Sequence, residues 1–175
     1  MTIDEITSTF GILLLAGSET TATLLSAVTF YLLKYPETMN KLVQEIRSSF
    51  TTEEEITQVS VQKLKYQLAV LEEALRIHPP TPNGGARVVP KKGENIGGYR
   101  VPGGVSQAVP CFRSGLTIKT TVYVATYSAN RQSANWRDAD TFVPERWLDD
   151  PRYKSDNRGT FAPFSLGPRN CVGRK

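Results

Sequence analysis

Little in this chain invites a disulfide scaffold or a histidine-rich metal centre. Its 175 residues include two cysteines and one histidine. Cys111 and Cys171 are too few for a disulfide framework, and no C-x-x-C pair suggests zinc. His78 stands alone. Such sparing use of cysteine points to a reduced, cytosol-facing setting. No Lys/Arg run interleaved with aromatics occurs, and 21 basic against 17 acidic residues leave a formal charge of only +4. Nucleic acid is therefore not expected as a partner. Met1 is followed by polar Thr2-Ile3-Asp4-Glu5 rather than a basic stretch and an apolar core, so no secretory leader is expected here. Internal repeats and low-complexity tracts are lacking.

What remains is the composition of a soluble globular domain, 39% hydrophobic and 22% charged. Asp4 to Leu33 reads as one long helix, capped by Thr2 and favoured at its positive end by Asp4 and Glu5. It is apolar on most sides, which predicts a buried position. The run from Phe10 to Leu33 is long enough to cross a membrane, but the polar step Gly17-Ser18-Glu19-Thr20-Thr21 argues against a span. A second helix is expected from Pro36 to about Phe50, with Met39, Leu42, Val43 and Ile46 at helical spacing. Thr51 to Ser60 reads as an acidic loop. A third helix, Val61 to Ile77, would turn Leu64, Leu68, Leu71 and Leu75 inward and stop at Pro79-Pro80. Gly84-Gly85, Gly97-Gly98 and Gly103-Gly104 then punctuate strand-like runs at Ala86–Val89, Tyr99–Val101 and Thr121–Ala125. Beyond Asn130 the chain is loop-rich, and its scattered Trp136, Phe142, Trp147, Phe161 and Phe164 are expected to pin it down.

The sharpest signal lies near the end: Phe164-Ser-Leu-Gly167-Pro-Arg169-Asn-Cys171-Val-Gly173, or F-x-x-G-x-R-x-C-x-G. A chance match in a chain of this length is on the order of one in ten thousand or rarer at average residue usage. This is the cysteine-ligand signature of the cytochrome P-450 family, which the chain resembles. The residue types suit the chemistry that the resemblance implies. A thiolate at Cys171 is a strong donor to haem iron and favours O–O cleavage. Backbone N–H groups and the start of a following helix stabilise its charge. Gly167 permits a tight turn and close approach to the porphyrin, and Gly173 lets the next segment pack closely. Arg169 can pair with a haem propionate. Phe164 can shield the sulfur. Without these neighbours, a lone cysteine in such a loop reads as a small core residue.

Three further segments follow the same resemblance. Glu73-Ala74-Leu75-Arg76 matches the family's E-x-x-R helix, and its i,i+3 spacing places both side chains on one face. Phe142-Val143-Pro144-Glu145-Arg146-Trp147 resembles its P-E-R-F segment, with Trp in the Phe position. The resemblance implies a buried structural cluster of Glu73, Arg76 and Arg146 that holds the meander leading to the cysteine. Ala16-Gly17-Ser18-Glu19-Thr20-Thr21 resembles the oxygen-activation motif. Its small residues admit a flat cofactor, the Thr20 hydroxyl can donate toward bound oxygen, and Glu19 can relay protons. Arg87 matches an arginine aimed at a propionate; an exposed strand arginine is the alternative. For His78, propionate contact and a capping or packing role both stay open.

The resemblance implies a mainly α fold with small β hairpins, the C-terminal and incomplete part of the cytochrome P-450 fold. Residues 1–175 form one partial domain, from the oxygen-activation helix to the cysteine loop. In detail the chain most resembles fungal microsomal members that oxidise secondary metabolites, isotrichodermin and trichothecene hydroxylases among them. Three departures stand out. The family's membrane anchor and most substrate-recognition segments would precede Met1. The helix that supports the thiolate would follow Lys175. Val105 to about Lys119 has no counterpart, as if Gly104 were joined to Thr120 or Thr121. Val105-Ser106 can be encoded by GTAAGT, a splice donor, so this stretch reads as an unspliced intron; a surface insertion is the alternative. The implied partners are an NADPH-dependent flavoprotein reductase, with Lys154, Arg158 and Arg174 facing its acidic surface, and a lipophilic substrate. The implied location is the cytosolic face of the endoplasmic reticulum membrane. The competing expectations are a truncated, non-catalytic gene product and a helical interaction module that holds no haem.

Overall fold

The computed structural model describes residues 1–103 and 120–174. The expected insertion at 105–119, with Cys111, lies outside the described residues. Two compact units emerge, one of residues 1–82 and 126–175, the other of residues 83–125.

In the first unit, helix α1 spans Ile3–Lys34. Its start follows the cap that the sequence predicts: the Thr2 hydroxyl accepts from the Glu5 N–H at 3.2 Å, and the Glu5 carboxylate accepts from the Thr2 N–H at 2.7 Å. Helix α2 runs Pro36–Ser49 from its N1 proline. The predicted third helix is split. A short α3, Gln58–Val61, is capped by Thr57, whose side chain accepts from the Ser60 N–H. Leu64 then turns extended (ψ 97°) and α4 begins afresh, Lys65–Ile77.

The inward face of α4 also differs from expectation. Leu64 is buried, but Leu68 is 42% exposed, and the buried residues are Ala69, Val70, Glu73, Ala74, Arg76 and Ile77. The reason is polar. Glu73 and Arg76 must face inward to meet their partners, and the residues three or four away follow them. Val70, Ala74, Ile77 and Phe142 form the core, with Leu24, Val28, Tyr31 and Leu32 of α1 and Leu42 of α2 packed against it. Tyr31 stacks on Phe142 at 4.9 Å and 8°.

The expected all-round burial of α1 is not met. Ala27 is its one buried residue, while Phe10, Leu14 and Leu15 are 70%, 74% and 63% exposed. Among the described residues of this unit, the core packs on Leu24, Val28, Tyr31 and Leu32 in the later turns of α1. By length and composition α1 could cross a membrane, a test that core helices also pass.

The rest of this unit is a meander. Helix α5, Thr126–Arg131, is a turn that the sequence reading passes over. Tight 3-10 turns follow at Pro144–Trp147, Pro151–Tyr153, Arg158–Thr160 and Val172–Arg174.

The second unit holds two small antiparallel sheets. β1, Arg87–Val88, pairs with β4, Thr121–Val122, in the register Arg87 to Val122. β2, Glu94–Ile96, pairs with β3, Tyr99–Val101. Gly97 and Gly98 at φ +58° and +85° make the two-residue turn between them, a conformation that fits the strand twist and favours glycine.

Candidate haem-thiolate site and its supporting ion cluster

The structure brings Glu73, Arg76 and Arg146 together in a sealed cluster. Glu73 and Arg76 are 0% exposed and Arg146 is 1% exposed. The i,i+3 spacing on α4 lets Arg76 meet Glu73 edge-on, Nε to Oε2 at 2.9 Å and Nη2 to Oε1 at 2.8 Å. Arg146 sits on the turn Pro144–Trp147 and donates from Nε at 3.0 Å. Two more donors reach the same carboxylate: the Val143 N–H at 2.9 Å and the Trp147 indole N–H at 3.0 Å. Five N–H groups thus converge on one buried carboxylate, which offsets the cost of burying it.

The arginines spend their other donors on the meander. Arg76 Nη1 donates to the carbonyls of Asn130 and Ala139, both at 2.7 Å, and Nη2 to that of Thr141 at 3.2 Å. Arg146 Nη1 meets Asp156, whose other oxygen accepts from the Arg137 N–H at 2.8 Å. Trp136, 1% exposed, lies under both guanidiniums, with centroids 5.3 Å from Arg76 and 5.9 Å from Arg146. Tyr153 lies 4.5 Å from Arg146; burial pushes its phenol up, and its hydrogen bond to Asp138 adds to the shift.

Sequence reasoning missed Asp156 and the indole donor; it expected Trp136 to pin the loop, but not to lie under the two guanidiniums. The signal for Trp147 was present, since it departs from phenylalanine in the family segment and so gains an N–H. Asp156 gave no signal, because nothing in its spacing links it to Arg146.

The cysteine loop is built differently. Gly167 takes φ +80°, a conformation that a side chain would strain. The Asn170 N–H donates to the Gly167 carbonyl at 3.1 Å, and the Cys171 N–H to the Phe164 carbonyl at 2.8 Å, closing the loop. Cys171 is a free, exposed thiol. Beside it in the loop, Phe164, Leu166 and Val172 are 38%, 71% and 83% exposed. A Cβ on Gly173 would lie 3.7 Å from the Cys171 sulfur, in ordinary contact. One soft sulfur donor among exposed apolar side chains is a donor set that fits a flat, apolar, iron-bearing macrocycle. Arg169 is exposed.

The remaining sequence-predicted residues are placed as follows. Thr20 lies on the exposed part of α1, and its hydroxyl donates to the Ala16 carbonyl at 2.7 Å. Ser18 and Thr21 bond back four residues in the same way, at 2.8 and 2.9 Å. Glu19 lines a groove with Ala22, Thr23, Ser26 and His78. The His78 N–H caps α4 by donating to the Ala74 carbonyl. Arg87 is exposed on β1 in the second unit, its Nη1 on the Ala86 carbonyl at 3.1 Å.

Known proteins match this pattern along its whole length. Residues 1–175 match the cytochrome P-450 family. The cytochrome P-450 monooxygenase lcsI of Purpureocillium lilacinum is 46% identical over 174 residues, covering 99% of this chain and 31% of that protein. The averantin hydroxylase of Dothistroma septosporum is 45% identical over 175 residues, 100% of this chain and 30% of that protein. The cytochrome P-450 monooxygenase tpeC of Talaromyces stipitatus is 46% identical over 171 residues, 98% of this chain and 31% of that protein. The chain thus spans about a third of the length of these fungal relatives. Matched to that family over residues 1–175, the chain belongs to the cytochrome P-450 family.

Proposed function

We propose that the whole protein is a haem-dependent monooxygenase that hydroxylates a lipophilic small molecule of fungal secondary metabolism, as the names of its relatives suggest. Electrons come from an NADPH-dependent flavoprotein reductase, and the protein works at the cytosolic face of the endoplasmic reticulum. The observation that carries this reading is the closed Phe164–Cys171 loop with its exposed thiol and apolar neighbours.

When bound, haem supplies the iron at which O₂ is activated and one oxygen atom is delivered to a C–H bond. The chain's own residues do the rest. Cys171 would hold the iron through its sulfur. Arg169 would neutralise a haem propionate, and Phe164 would limit water at the sulfur. Gly167 and Gly173 keep the loop tight. Thr20 would hold a proton at its hydroxyl, and Glu19, exposed on the preceding residue, would replenish it. Thr20 is free to release the Ala16 carbonyl, since that carbonyl already accepts within the helix. Glu73, Arg76 and Arg146 hold the meander in place. The exposed Lys154, Arg158 and Arg174 offer an acidic reductase a basic surface.

The test is Cys171→Ser in the full-length protein. Wild type should show a strongly red-shifted Soret band when reduced and bound to CO. The variant should lose that band and turnover while keeping the far-UV circular dichroism of the folded wild type. An unchanged spectrum would remove the basis of the proposal. A chain that folds colourless in wild-type form would favour the interaction module, and one that aggregates the truncated product. Sequencing the spliced transcript decides whether codons 105–119 are a retained intron.

A further inference from the structure

We propose that Trp147 is a positioning residue that couples the buried ion cluster to the cysteine loop through Phe161. This rests on the haem-thiolate reading above. The Trp147 indole N–H donates to Glu73 at 3.0 Å, so the ring is fixed to α4 by a directional bond to a buried carboxylate. Its ring meets Phe161 at 4.6 Å and 49°. Trp136 closes a three-ring group, 5.8 Å from Trp147 and 6.4 Å from Phe161, the latter edge to face. Phe161 stands three residues before Phe164, the residue whose carbonyl accepts the Cys171 N–H.

Between these points the backbone has little slack. The Phe161 N–H donates to the Arg158 carbonyl at 3.1 Å and the Ser165 N–H to the Ala162 carbonyl at 3.0 Å. Arg158 returns to the cluster by donating to the Arg146 carbonyl, with its guanidinium 5.8 Å from the Trp147 ring. A continuous path therefore runs from the Glu73 carboxylate through two rings to the N–H of the cysteine. A phenylalanine at position 147 would keep the ring contact and lose the fixed end. The indole makes the ring's orientation depend on Glu73, and so sets where the loop places its sulfur.

The experiment compares full-length Trp147→Phe, Trp147→Leu, Phe161→Leu and the double Leu variant with Phe142→Leu. Two quantities are read: the unfolding midpoint, and the fraction of reduced, CO-bound pigment with a red-shifted Soret band, which reports intact thiolate ligation. Phe142 packs on Val70, Ala74 and Ile77, with its ring on Tyr31 rather than on Trp147 or Phe161, and serves as a control for plain destabilisation beside the cluster. Trp147→Leu should lower the red-shifted fraction about fivefold, and the double variant should add little, as expected for coupled neighbours. Trp147→Phe should lower it about twofold, the size of one lost hydrogen bond that leaves other donors in place. Phe142→Leu should lower the midpoint and leave the fraction unchanged. If Trp147→Leu moves only the midpoint, or if the effects of Trp147→Leu and Phe161→Leu simply multiply, the coupling is refuted. A wild type without the red-shifted band would overturn the haem-thiolate reading itself and this proposal with it.

Discussion

The ion cluster around Glu73 and the front half of α1 sit in the same compact unit, yet one is sealed and the other bare. Glu73, Arg76 and Arg146 are essentially without solvent contact, while Phe10, Ile12 and Leu14 are 70%, 68% and 74% exposed. The difference follows from the kind of bond each region needs. A buried carboxylate demands donors at fixed distances and angles, so its partners must be brought to it by the chain itself. An apolar helix face needs only cover, and any apolar surface of suitable shape will serve. Directional groups therefore complete themselves locally, and apolar faces wait for whatever packs on them. The cysteine loop combines both conditions, with backbone bonds closing it from within and exposed apolar side chains next to the thiol.

The largest effect should come from breaking the sealed side. Glu73→Ala leaves two buried guanidiniums facing each other and strands the Trp147 and Val143 N–H groups. It should cost about 3–5 kcal/mol, enough to abolish folding in a marginal protein. Leu14→Ser on the bare side should stay within about 0.5 kcal/mol in this chain. Urea unfolding of both variants measures the contrast. Equal costs would mean that α1 is covered in solution and that the comparison is wrong.

A middle effect lies at the edge of the sealed region. The N-cap of α4, Leu64, has no side chain to satisfy the first turn. Glu45 of α2 does so instead, accepting from the Tyr66 N–H at 2.8 Å and the Gln67 N–H at 2.9 Å. Glu45→Ala should cost about 1 kcal/mol, as loss of an ordinary cap does, and speed amide exchange at Tyr66 and Gln67. Glu45→Gln keeps an acceptor and loses the charge at the helix start, so its cost should be smaller, about 0.3–1 kcal/mol. If Gln costs as much as Ala, the charge is what matters there.

The same distinction explains what the amino-acid sequence discloses. E-x-x-R and the P-E-R-W segment are legible because their members sit at fixed helical or turn spacings and their chemistry calls for a partner. Asp156 is not, because it reaches Arg146 through a fold-back of the meander that no local period encodes. The face of α4 misleads by hydropathy: four leucines at helical spacing suggest the core, whereas Glu73 and Arg76 dictate which side turns in. β2 escapes notice because Glu94-Asn95-Ile96 has little strand propensity; the Gly97-Gly98 turn folds it onto β3. The cysteine loop is legible by resemblance, and its backbone bonds close it with the thiol exposed.

The smallest effect tests the solvent-exposed end of the cluster's support. Lys41 of α2 donates to Glu145 at 2.6 Å, with the Tyr66 hydroxyl on the same oxygen at 3.1 Å. Partial burial pushes the Glu145 carboxyl up, but the bonds from Lys41, its own backbone N–H and Tyr66 outweigh it and hold the group below its ordinary value of 4.5. A depressed carboxyl adds stability above the unfolded-state value, and that stability is lost as pH falls through the lower folded-state value. Lys41→Met should therefore cost under about 1 kcal/mol at neutral pH, since the lysine is 53% exposed. Its deficit should vanish on acidification below pH 4.5, as Glu145 takes up its proton in both proteins. Urea midpoints measured across that range decide the matter. A deficit that persists once Glu145 is neutral would show that the lysine stem acts by packing, and would place this contact with the apolar, non-directional half of the comparison.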